Sequence, residues 1–211
     1  MRQSTWDTLY MEFVSMIFTV IFGFIIGLVL FLLSKRSEML FKVIYAILSV
    51  FSNIFRSIPF IVLIVLFIPA MSAIFGSFIG ATPAVLPLTV SAAPFYARMV
   101  EVAFREVDKE VLEAADAMGA SSLQKIFQVL VPESLPALIS GMSITAVSMI
   151  GYTAMASVVG GGGLGGLAIQ EGFSRNNYTV TMVATLIILV IVFSLQFVGD
   201  LLVKKVDKRK R

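Results

Sequence analysis

Two uncharged stretches restrict the possible folds of this chain more than any other feature. Phe13 to Leu33 carries no charged side chain, and neither does Ser57 to Ala97. A helix needs roughly 20 apolar residues to cross a hydrocarbon layer about 30 Å thick, and within that layer each backbone amide must find its partner inside the segment. The first stretch can span once. The second is too long for one helix and needs a reversal. Of 211 residues, 58% are hydrophobic and 14% charged, where a soluble domain carries about a quarter charged. The expected fold class is therefore all-α, integral membrane.

Five transmembrane helices are expected, at about 13–33, 43–68, 84–100, 136–158 and 179–203, in a single transmembrane domain over 1–211. The first run exceeds the roughly 7–15 residues of a signal-peptide core, and no small-residue cleavage site follows it. It reads as a permanent span. "PAMSAIFGSFIGATP", Pro69 to Pro83, supplies the Pro, Gly and Ser punctuation of a reversal. Pro87 and Pro94 fall inside the third span, where neighbouring helices can re-satisfy the freed carbonyls, and a kink is expected. "VGGGGLGGLAIQEGFSRNNY" reads as a loop joining spans four and five.

Orientation follows from basic residues. Segments 34–42, 98–125 and 204–211 hold 3, 4 and 6 Lys or Arg, whereas 1–12, 69–83 and 159–178 hold 1, 0 and 1. Positive charge accumulates on the cytoplasmic side. The N-terminus is expected outside and the C-terminus in the cytoplasm of a bacterial inner membrane. The closing "KKVDKRKR" reads as a headgroup anchor touching membrane lipid, not a nucleic-acid patch.

The chain has no Cys and no His. That removes thiolate and imidazole metal sites, cysteine nucleophiles and histidine relays. No Asp or Glu is expected centrally in any span, which argues against a self-sufficient ion-coupled porter or channel. No carboxylate pair supports a membrane enzyme.

The segment between spans three and four, about 104–135, is longer and more patterned than a connection requires. In "REVDKEVLEAADAMGA", Val107, Val111, Leu112, Ala115 and Met118 form an apolar stripe at helical spacing, opposite Glu106, Asp108, Lys109, Glu113 and Asp116. Gly119 is placed to end that helix in a left-handed residue. Ser121 to Gln124 reads as a capping box opening a second helix, "LQKIFQVLV", expected to end before Pro132. Residues 98–118 hold six acids against three bases, whereas helices that lie on membranes carry basic polar faces. A docking surface for another protein fits this pattern better.

Glu113-Ala114-Ala115, Gly119-Ala120, Ile126, Val131-Pro132 and Pro136 together resemble the EAA loop of binding-protein-dependent ABC importer permeases. The pair at Val131-Pro132 departs mildly from that motif's Leu-Pro. "NIFRSIPFIVL", "PLTVSAAPFYARMVE", "GYTAMASVVGGGGLG" and "FVGDLLV" extend the resemblance to the methionine-import branch of the family. The resemblance implies a homodimer of five-helix subunits with two ABC ATPase subunits and an extracytoplasmic substrate-binding protein or lipoprotein. It implies an ATP-driven amino-acid importer, with methionine as the implied substrate, whose permease is not an enzyme. ATP and Mg are then bound by the partner, with no cofactor and no metal in this chain. Glu113, Ala114, Ala115, Gly119, Ile126 and Pro132 are the implied ATPase-coupling residues.

Candidates for the pathway are fewer and less specific. Arg56 is the one formal charge well inside a span; it either snorkels to headgroups or faces inward, where it holds the structure of the path or meets a carboxylate. Gly160 and Gly161 belong to a glycine cluster with no following Gly-Lys-Ser/Thr, so a phosphate loop is excluded. They form either a flexible outer loop or, as the resemblance implies, the border of a gate. Met155 matches a family position that narrows the pore, or simply packs. Ser140, Ser148 and Tyr152 are helix–helix glue, worth about 0.6 kcal/mol each, or the lining of a wet path.

Overall fold

The computed structural model describes residues 1–207; Lys208 to Arg211, the end of the expected basic anchor, lie outside the described residues. Every regular element among the described residues is helical. The elements are α1 (Arg2–Ser34), α2 (Met39–Ser57), α3 (Phe60–Leu66), α4 (Ile68–Phe75), α5 (Ala81–Arg105), α6 (Lys109–Ala117), α7 (Ser122–Gln124), α8 (Val131–Ala156), α9 (Gly163–Gly166) and α10 (Tyr178–Val206). Wide π-type turns occupy Lys125–Leu130, Ser157–Gly161 and Leu167–Phe173.

Four helical stretches are long and apolar enough to cross a membrane: Arg2–Ser34, Met39–Ser57, Ser122–Gly161 and Tyr178–Val206. The helix α5 is long enough, with 25 residues, but its last turns carry Arg98, Glu101 and Arg105. It is instead the centre of the molecule. Sixteen of its residues are buried, and it lies between α1 and α8. Two glycines let α1 approach α5 closely. A Cβ on Gly23 would fall 2.9 Å from the Ala93 carbonyl oxygen, and one on Gly27 would fall 2.5 Å from that of Ala97. These pairings advance in the same direction on both helices, so α1 and α5 run parallel.

Two apolar clusters fill the interior. One, around Phe104, gathers Phe31, Tyr96, Val100, Leu130 and Leu138. The other gathers Met11, Phe60, Ile64, Met71, Leu88 and Ala156. By contrast α2 buries none of its residues, and α10 buries only Ala184 and Gly199. Their apolar sides face outward, as helices bathed in lipid require.

Three expected boundaries change. Span two does not run to residue 68 as one helix, because α2 stops at Ser57. Proline restricts the residue before it to extended backbone, and Ile58 has ψ 124°. The apolar run beyond it becomes α3 and α4, which end at Gly76 in a left-handed turn, φ 73°. The second helix of the polar segment does not end before Pro132, and span four begins earlier than residue 136. The chain stays helical from Ser122 to Gly161. The wide turn lets the Val131 amide donate to the Ile126 carbonyl, so the helix re-registers just before the prolines. Finally, residues 159–178 are largely helical and not a loop.

Candidate functional site: the coupling surface and the polar face of the bundle

The Glu113–Pro136 segment is built from local rules. Asp108 caps α6 by accepting from the Glu110 amide at 3.0 Å. At the other end the Ala120 amide donates to Ala115 O (3.0 Å) and the Gly119 amide to Asp116 O (2.9 Å). That pair of bonds needs a left-handed residue, which Gly119 supplies at φ 77°. Ser121 then forms both halves of a capping box with Gln124, at 3.3 and 2.8 Å. Lys125 Nζ closes the turn on Asp116 at 2.5 Å. The result is a rigid helix–turn–helix corner.

What that corner displays differs from a stripe folded inward. Val107 and Ala115 are buried, and Leu112 is half-buried, but Val111 is exposed and Met118 is 82% exposed. Leu123 (67%) and Phe127 (60%) stand out beside it. Three large apolar side chains are thus left exposed on a polar, acid-bearing corner. Glu113 and Ala114 are exposed on the same element; Ile126 is half-buried beneath it and Pro132 is exposed at the start of α8. The six coupling candidates therefore lie within one continuous feature.

The pathway candidates do not converge on one point. On α8, Ile144, Ser148, Gly151 and Met155 recur at helical spacing along the face that its neighbours leave least covered, and Val158 in the wide turn beyond continues it; Met155 is 46% exposed. Ser148 donates to its own helix at Ile144 O, 2.9 Å. It also lines a groove of about 400 Å³ with Ser140, Ser143, Gln196 and Asp200, between α8 and α10. Tyr152 points elsewhere and stacks on Phe60, with ring centroids 5.0 Å apart. Gly160 (φ 98°) donates no loop freedom; its carbonyl accepts from the Gly80 amide at 2.9 Å, which ties the glycine segment to the start of α5. Gly161 is buried, with no room for a Cβ beside the Ala156 carbonyl.

Two buried acids were missed at the level of sequence. Glu101 is 1% exposed and receives Arg98 at 2.7 Å, Arg105 at 2.6 Å and the Tyr45 hydroxyl at 3.0 Å. This cluster fastens α2 to α5. Glu12, expected before the first span, lies inside α1 and is 2% exposed, with no hydrogen-bond partner for either carboxyl oxygen. Glu12 lies just ahead of the expected first span at 13–33, so it adds a buried acid in the N-terminal part of α1 to spans expected to hold none centrally. The signal was present in the spacing of Thr8, Glu12, Ser15 and Thr19, one polar stripe on an apolar helix.

Against this geometry, a family profile described as "Binding-protein-dependent transport system inner membrane component" matches residues 20–211. This chain belongs to that family. It is 50% identical over 206 residues to the methionine import system permease protein MetP of Bacillus subtilis, covering 98% of this chain and 93% of that one. It is 43% identical to a probable D-methionine transport system permease protein MetI of Pasteurella multocida, covering 98% and 95%. Its fold matches a structure described as inward-facing conformations of the MetNI methionine ABC transporter, with TM-score 0.92, 40% identity and coverage of 98% and 95%. A more distant structure, an amino acid ABC transporter at 20% identity and TM-score 0.75, shares the fold. The family resemblance thereby holds, and the chain is a multi-pass translocation component, not the ATPase.

Proposed function

We propose that this chain is the membrane-spanning subunit of an ATP-driven methionine importer. Two copies form the translocation path, two ABC ATPase subunits dock on the corner around Gly119, and an extracytoplasmic binding protein delivers the amino acid. The five segments α1, α2, α5, α8 and α10 cross the bilayer in a single domain, with the N-terminus outside and the corner in the cytoplasm. ATP and Mg belong to the partner, whose closure moves the corner and alternates access at the dimer axis. The least covered face of α8, with Ser148 and Met155, is the surface we assign to that axis, and Gly160 and Gly161 border its outer end.

The single observation that carries this reading is the capped corner with its exposed Met118, Leu123 and Phe127 beside Glu113. An element so carefully terminated, yet apolar on its outside, fits a groove in a partner. Co-expression with an importer ATPase tests it. The two proteins should co-purify, and Glu113→Lys should weaken that association. Equal recovery of the ATPase with and without the corner substitution contradicts it.

One observation favours a second reading, ion coupling: the buried, unpartnered Glu12. Under that reading a proton or sodium gradient alone drives uptake.

A further inference from the structure

Arg56 has no carboxylate partner among the described residues. Its guanidinium carbon lies 5.9 Å from the centroid of the Phe95 ring, near the middle of α5. Ten residues separate Phe95 from the end of α5 at Arg105, about 15 Å at roughly 1.5 Å per residue. A guanidinium opposite the middle of a transmembrane helix is costly unless it faces water or an anion.

The surroundings of Arg56 are built for a polar occupant. Tyr45, Ser49, Ser52, Asn53 and Arg56 follow one another at 4, 3, 1 and 3 residues, which places them on one face of α2. With Arg98 and Glu101 of α5 they line a cavity of about 390 Å³. That is within the roughly 300–1,000 Å³ of small-molecule sites. Glu101 is already held by Tyr45, Arg98 and Arg105. That one carboxylate faces three arginines, Arg56, Arg98 and Arg105, so the group keeps an excess of positive charge. The free donors of Arg56 and the Asn53 amide suit a planar anion such as a carboxylate.

We infer that this α2–α5 cavity is a solute site in the permease itself, with Arg56 and Asn53 receiving the carboxylate of the transported amino acid. The inference rests on the importer reading above and assigns a substrate contact within it. A lipid phosphate has the same sign, but a headgroup does not reach the middle of α5. The binding protein's selectivity is then supplemented by a weak carboxylate requirement inside the membrane.

The absence of cysteine from the chain makes a direct test available. In the complex with its ATPase, in lipid nanodiscs, Ser52→Cys is reacted with a small water-soluble methanethiosulfonate. Methionine at ten times its Kd should slow labelling about tenfold, as 1 + [L]/Kd requires, and methionine amide, which lacks the carboxylate, should not. Arg56→Gln should raise the methionine concentration needed by about ten- to a hundredfold, the range for a charged hydrogen bond. Arg56→Lys should recover part of it. Ser49→Cys serves as a second reporter if Ser52→Cys fails to assemble.

Labelling that methionine leaves unchanged overturns the site. Protection that depends on anionic lipid and not on methionine also overturns it, in favour of a lipid occupant. Parallel uptake by the parent complex separates the two levels. If the parent imports methionine but no protection is seen, only the site fails. If the parent imports none, the importer reading fails.

Discussion

At Gly119 the backbone sits at φ 77°, and an added Cβ meets nothing within 4 Å. A side chain there encounters no clash, so its cost is conformational, about 1–2 kcal/mol for a left-handed residue and more for a β-branched one. Gly119→Val should leave membrane insertion intact, since insertion depends on the hydrophobicity of the spans. It should weaken co-purification of the ATPase, or preserve it while substrate no longer stimulates ATP hydrolysis. Gly119→Asn, a residue that tolerates this conformation, should be milder. A Gly119→Val complex with full coupling would make the corner an ordinary loop. Glu101 supports a different expectation. Its carboxylate is buried while Arg98 and Arg105 are each more than 40% exposed. Replacing both arginines with Met strands a buried charge, at about 3–5 kcal/mol. The thermal unfolding midpoint of the purified complex should fall markedly, and an added Glu101→Gln should restore much of the loss. Gly119 and the Ser121–Gln124 box were legible in sequence because caps obey local rules. Glu12 and Glu101 were not, because each sits at a hydropathy edge, where only the packing of α1 and α5 decides burial.

Helix contacts depend on what approaches from far along the chain. The seam between α1 and α5 is closed by Gly23 and Gly27, whose Cβ positions are occupied by α5. Gly27→Ala should push the helices apart and cost about 1–3 kcal/mol, seen as a lower unfolding midpoint without loss of insertion. No change in midpoint would mean that the seam is looser than described. From sequence these glycines read only as members of an apolar span. That α1, α8 and α10 exist was readable because long uncharged runs leave a chain in lipid little choice, but α1 and α8 start at Arg2 and Val131, ahead of the expected spans. The end of α2 at Ser57 was readable only in part: Pro59 marked a disturbance, but continuing hydrophobicity masked the break into α3 and α4. The helical character of the glycine-rich 157–173 segment was hidden altogether. Its glycines predict a loop locally, whereas contacts to α1, such as the Leu164 amide donating to Thr8 at 2.8 Å, hold it folded.

For the whole molecule, orientation in the membrane decides whether the capped corner can meet a cytoplasmic ATPase. Single cysteines at Ser77 and Asn176, both exposed, should react with an impermeant thiol reagent from outside intact cells, and one at Ser122 should not. The reverse pattern places the corner on the wrong side. The measurement that tests the importer reading most directly is uptake of radiolabelled methionine into proteoliposomes holding this chain with its ATPase and binding protein. Uptake should require ATP on the ATPase side and both partners, and it should be indifferent to imposed proton or sodium gradients. Uptake by the permease alone, driven by either gradient and abolished by Glu12→Leu, would contradict that reading and identify an ion-coupled porter.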